Sequence, residues 1–426
     1  MLEDGTRLDS PLELQLILLR FVSGSHSEVA RLTEAAGLGW ASTVESLLHR
    51  PLDPDSFHCD RSAAAPLCWA SAKGHVETVR LLLEAYASVD ALRNPDGETP
   101  LWIACAHGHV QVAGLLLQAG ADKNARNCLN EMPLGVASRL GYVEVVRLLV
   151  EAGANKNLPS SYDMTPLCVA SLNGRLEVVR WLLAAGADAT SRSRYGETPL
   201  HAASDFGHEG IVRLLLEAGA DKSVLDDFGD RPLCVASRCG HVEALRVLIQ
   251  SDADQRANDN DMFDALQVAC VHDQVDVVKY LLSIGADKNA RNRHNETPLW
   301  IASWRGSVET LRVLIDAGAD KNVRSSSGET PLCVAARFDE LEVVRLLLKG
   351  GGADIHTRSN SGHSPLDIAS SRGHEEVVAL LRARRAKVFR AMTLACRRKP
   401  PHKAQAKAKA KGKAKAKAKG KAMGQP

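Results

Sequence analysis

Residues 196–203 read Gly-Glu-Thr-Pro-Leu-His-Ala-Ala. A Thr-Pro step of this kind marks the start of a helix. The Thr side chain accepts a hydrogen bond from an otherwise free N–H of the first turn, and a proline at the first helical position gives up no bond. Outward from Pro199, a Pro-Leu pair returns at Pro66, Pro100, Pro133, Pro166, Pro232, Pro298, Pro331 and Pro365. Taken in order, the intervals are 34, 33, 33, 33, 33, 66, 33 and 34 residues. Ala265-Leu266 fills the double interval, so ten units share one frame.

Each unit reads as two short helices. Thr precedes the proline at Thr99, Thr165, Thr198, Thr297 and Thr330, and Asp264 stands in that N-cap place in the seventh unit. Leu follows the proline by one residue and Ala by four. Gly at eight residues (Gly74, Gly108, Gly141, Gly174, Gly207, Gly240, Gly306, Gly373) permits a left-handed turn between the helices. Asp273 and Asp339 replace it, and Asp is one of the few other residues that tolerates that conformation. The second helix carries a stripe such as Val145, Val146, Leu148 and Leu149, closes at a Gly-Ala step such as Gly153-Ala154, and leads through a polar hairpin to the next unit.

On these residues the chain resembles the ankyrin repeat, and 196–203 is close to that family's consensus. The resemblance covers roughly Ser62 to Ala383. It implies an all-α solenoid of helix-turn-helix units with short β-hairpin loops, in which no unit buries its own apolar face and stability comes from stacking. The family's His after Pro-Leu occurs only as His201; Cys68, Trp102, Gly135, Cys168, Cys234, Gln267, Trp300, Cys333 and Asp367 stand there elsewhere, which should loosen a local hydrogen-bond network. The domains expected are an N-terminal segment 1–27, a capping repeat 28–61 around Leu32, Ala35, Ala36, Gly39 and Leu47, ten repeats over 62–383, and a basic extension 384–426. Residues 2–19 resemble part of a ubiquitin-like fold; they read either as a remnant of it or as an apolar segment packed on the first repeat. The seventh unit, lacking both proline and turn glycine, is expected to be a soft joint.

Composition agrees with thin stacked layers: 45% of the 426 residues are apolar but only 4% are aromatic. There is no apolar run long enough for a membrane-spanning helix. The opening MLEDGTRL does not read as a secretory signal. Ten scattered cysteines read as the reduced thiols of an intracellular protein, cytoplasmic or nuclear. The net charge of +2 conceals an asymmetry: from Arg382 onward there are seventeen Lys/Arg and no Asp or Glu, leaving −15 on the remainder. Helix-forming composition continues to Pro400-Pro401, and KAQAKAKAKGKAKAKAKGKA at 403–422 then lacks the apolar residues that folding requires.

No phosphate-binding glycine loop, nucleophile elbow or His-Glu-x-x-His occurs, the cysteines lack zinc spacing, and no cofactor is expected. The His of each Gly-His step reads as a turn residue, and Cys68, Cys168, Cys234 and Cys333 read as small buried side chains. The expectation is a non-catalytic protein-interaction scaffold or adaptor. In ankyrin proteins the partner usually lies along the concave face of hairpin tips and first helices. The matching offsets hold Tyr162, Tyr195, Phe206, Phe228, Arg238, Trp304, Arg305, Arg337 and Phe338. These residues suggest one apolar patch in units four to six and one Arg/aromatic patch in units eight and nine. Glu98, Glu131, Glu197, Glu296 and Glu329, two residues before the prolines, are expected to solvate the tips or to select a basic partner. The tail offers Arg397, Arg398, Lys399, Lys407, Lys409, Lys411, Lys413, Lys415, Lys417, Lys419 and Lys421 to a polyanion. Its readings are nucleic acid or another acidic surface, a bipartite import signal, a membrane-surface or partner-binding helix, and attraction to its own acidic body.

Overall fold

The structure, a computed structural model, describes residues 25–50, 52–56, 64–92, 96–251 and 259–398, with side-chain detail ending at Arg390. Most of segment 1–27 and all of Lys399–Lys421 lie outside the described residues. Contacts divide the chain into two compact units, Met1–Asp261 and Met262–Pro426. Every regular element is helical, with no strand among the described residues, and none of these helices is long and apolar enough to cross a membrane.

In the first unit, helices His26–Leu38 and Ala41–Leu48 precede six prolines that each open a first helix, from Pro66–Lys73 to Pro232–Cys239. In the second unit the same pattern gives Pro298–Arg305, Pro331–Arg337 and Pro365–Arg372. The five threonines cap as read, for example Thr165 Oγ1 accepting from the Cys168 amide at 3.3 Å. The leucine after each proline except Leu366, which is half-buried, is sealed in the stack, as are Val145, Val146 and Leu149 of the second-helix stripe. Each such leucine contributes about 1.5–3 kcal/mol on leaving water. Within each unit, neighbouring first helices pack on one another and neighbouring second helices do likewise, so a layer is completed by the next.

One cap is not where the sequence placed it. The first helix of the seventh unit starts at Asp259, and Asp264 lies within it. A proline at 265 would push its predecessor out of the α region; Ala265 imposes nothing, so the helix extends backward. The linking loops also differ from β-hairpins. Several tips give one backbone bond to the tip before them, as from the Arg194 amide to the Tyr162 carbonyl at 2.8 Å and from Asp227 to Tyr195 at 3.0 Å. Single bonds of this kind make joined turns, not a strand ladder.

The turn histidines are structural. His109, His208 and His241 reach back to the carbonyls of Ala72, Leu172 and Asp205 at 3.1, 3.2 and 3.0 Å, and Arg175 replaces this device by donating Nε to the Arg139 carbonyl at 2.8 Å. His201 is buried; its Nδ1 accepts the Thr198 amide at 3.2 Å, so Nε2 carries the proton and donates to the Asp230 carbonyl at 3.1 Å. Burial holds its pKa below the ordinary histidine value. The unfolded chain therefore takes up this proton first as pH falls, and stability is lost from about pH 6.5 downward through the lower folded value. Thermal melts at pH 7.5 and 5.5 should show a smaller acid-induced drop in His201→Gln than in the parent; equal drops would contradict this.

Candidate partner-binding faces

The hairpin tips are shaped by short acceptors at their base. Asp226 Oδ1 accepts the amides of Phe228 at 2.9 Å and Asp230 at 2.8 Å, and Ser193 Oγ accepts those of Tyr195 and Glu197, both at 3.3 Å. This self-bonding turns the residue four before each proline outward. Tyr162, Tyr195 and Phe228 hold that position and are 59%, 46% and 72% exposed. Their rings form a row, 6.4 Å between centroids at each step, with planes 23° and 29° apart. Tyr162 holds a left-handed backbone (φ 60°), and exposed Leu129 holds the same offset on the preceding tip.

The charge around this row is mostly acidic. Asp163 and Asp227 are exposed beside Tyr162 and Phe228. Burial pushes the Glu197 carboxyl up, against a Ser193 hydrogen bond, and the charges of Asp205 and Asp226 add to the rise. Phe206, although exposed, is not part of the row: it ends its own first helix and stacks on His208, 6.3 Å away.

In the second unit, Trp304 and Phe338 meet edge to face at 6.5 Å and Arg305 lies 5.6 Å above the Trp304 ring. Trp300, which occupies the family's histidine position and is not among the residues predicted to bind a partner, packs beside Trp304 with ring centroids 6.4 Å apart. Its burial follows from an offset two residues past the proline, on the inner side of the first helix.

The carboxylates two before the prolines do not simply solvate the tips. Glu131 binds Arg139 at 2.9 Å, Asp230 binds Arg238 at 2.7 Å and Glu329 binds Arg337, each pair eight residues apart. Glu329 is buried. A carboxylate at the base of a short turn faces the last turn of its own first helix, and an Arg there draws it in. Arg238 and Arg337 are half-buried and brace tips, whereas Arg305 is exposed.

The repeat cysteines Cys68, Cys168, Cys234 and Cys333 are buried, and burial pushes the Cys168 thiol up to about 12. Among the described residues no group of three or more His, Cys, Asp or Glu side chains could hold a metal ion. Helix Glu375–Arg398 runs well past the length of the other second helices and carries Arg397 and Arg398 at its end, their side chains outside the described residues.

The human ASB11 ankyrin repeat domain is similar in structure: 26% identical, matched over 53% of this chain and 98% of its own, with a TM-score of 0.48. No curated protein matches the chain. The family model for ankyrin repeats matches residues 32–127, 134–226, 200–292, 256–325 and 299–391. With that coverage added to the two-helix layers, the chain belongs to the ankyrin-repeat family.

Proposed function

We propose that this protein is a non-catalytic intracellular scaffold or adaptor that holds a partner protein on the face formed by its hairpin tips and first helices. Ankyrin repeats are generally protein-interaction modules. The observation that carries the reading is the placement of scarce rings. Six of eighteen aromatics (Tyr162, Tyr195, Phe206, Phe228, Trp304, Phe338) are exposed on tips or first-helix ends, while Leu, Val and Ala fill the interior. Aromatic and Arg side chains dominate interface energetics, at about 2 kcal/mol or more when central.

The test is partner capture. Tyr195→Ala and Phe206→Ala are expected to keep the parent's circular dichroism and to weaken capture by about tenfold or more each. Unchanged capture profiles would count against this face. A second reading, a nuclear factor bound to nucleic acid, rests on the seventeen uncompensated basic residues beyond Leu381. It requires retention that falls steeply with salt and disappears when residues 399–426 are removed.

A further inference from the structure

We propose that the Arg/aromatic face of the second unit binds a partner segment in the extended polyproline II conformation, with a carboxylate at every third residue. This rests on the reading of that face as a partner surface, and it names the chemistry of the occupant.

Charge sets the sign of the ligand. The stretches reaching seven residues either side of Pro298, Pro331 and Pro365 (291–305, 324–338 and 358–372) hold seven basic residues, every one an Arg, and three acids. The rest of 262–381 holds six Lys/Arg and thirteen Asp/Glu. The hairpins and first helices are thus cationic on an otherwise acidic unit. Their three acids are already engaged: Asn292 donates to Glu296 at 2.8 Å, Arg337 pairs with Glu329, and the Ser364 amide and hydroxyl donate to Asp367 at 2.9 and 2.8 Å. Asp339, exposed beside Phe338, faces His374 Nδ1 at 3.6 Å. The arginines are less well supplied. Arg305 gives Nε to the Val271 carbonyl at 3.0 Å and lies over Trp304. Exposed Arg372 has no ion pair among the described residues. Burial and the charge of Arg372 together hold Arg337 below the usual arginine value. A carboxylate arriving here relieves that crowding of cations.

Geometry sets the spacing. Arg305, Arg337 and Arg372 stand six or seven residues after their prolines, one in each of three consecutive layers. Trp304 and Phe338 take the other of those two places in the first two layers. The three first helices pack side by side, and packed helices stand about 8–10 Å apart. A polyproline II segment rises about 3.1 Å per residue with three residues per turn, so it returns the same face every ~9.3 Å. A carboxylate at every third residue therefore meets one arginine per layer. The residues between lie on the two rings, and prolines suit aromatic-lined grooves because they are already extended. A β-strand returns a side chain to one face every ~6.4–6.8 Å and cannot keep this register.

The full chain is titrated at physiological salt into fluorescent (Pro-Pro-Glu)5 and followed by anisotropy, beside an isomer whose five glutamates are contiguous. Having the same charge, the isomer measures non-specific attraction to the basic residues beyond Leu381. The spaced peptide is expected to bind at least about fivefold tighter. Trp304→Ala should weaken it about tenfold or more. Arg372→Gln, which breaks no ion pair, should weaken it about 2- to 5-fold. Both variants should keep the parent's circular dichroism. Equal affinity for the two isomers, or indifference to Trp304 and Arg372, overturns the proposal. So does tighter, Trp304-dependent binding of a six-residue oligothymidylate, which carries as many charges. If Trp304→Ala weakens partner capture but not peptide binding, the ligand is wrong and the surface stands. If neither responds, both readings fall for this face.

Discussion

Leu182→Ala is expected to lower the free energy of unfolding by about 2–5 kcal/mol. Leu182 has no exposed surface and lies in helix Leu176–Ala184. That helix contacts its own first helix and the second helices on both sides, Val143–Glu151 and Glu209–Glu217. The cavity therefore opens at two joints, and the close-packed neighbours can collapse into it only partly. A loss of this size is a large share of the stability of an ordinary domain. In a stack held by nearest-neighbour contacts it should also reduce cooperativity, so that denaturant unfolding of the variant acquires a shoulder. Equilibrium denaturation by circular dichroism measures both. A change under 1 kcal/mol with a single sharp transition would contradict the layered account.

Gly207→Val should cost about 2–4 kcal/mol, and Gly207→Asp less than half as much. The backbone at Gly207 has φ 70°, where an ordinary L-residue loses about 1–2 kcal/mol and a β-branched one more. A Cβ added there would come within 2.5 Å of His241 Nδ1, displacing the ring from its bond to the Asp205 carbonyl. The chain contains its own control. Asp339 holds the equivalent position at φ 63°, with His374 Nδ1 3.6 Å from its carboxylate. Asp thus tolerates the turn and gives the following histidine a partner. Thermal denaturation that ranked the two substitutions equally would show that space, not backbone preference, governs the joint.

What could be read without coordinates follows from which residues constrain the backbone by themselves. Proline and glycine do, so the helix starts and left-handed turns were legible, with Asp273 and Asp339 correctly standing in for glycine. Ring exposure was legible too, because a fixed offset from the proline fixes a side chain's direction in every unit. What escaped was relational. Glu329 and Arg337 look like two surface charges until the turn brings them together; the eight-residue spacing shared with Glu131–Arg139 and Asp230–Arg238 was the available signal. Asp264 escaped because the unit's frame keeps the helix start at 265, whereas the absence of the proline moves that start backward. Phe206 and the Tyr162 row share a face by offset, but only geometry shows that Phe206 pairs with His208 instead.

The bonds from tip to tip give the row of turns a mechanical property. Because the Arg194 amide holds the Tyr162 carbonyl and the Asp227 amide holds that of Tyr195, a load applied to any one ring passes sideways through peptide groups into adjacent turns. Tension along the Met1–Asp261 stack would accordingly be felt first as shear between neighbouring turns, while the paired helices beneath keep their shape.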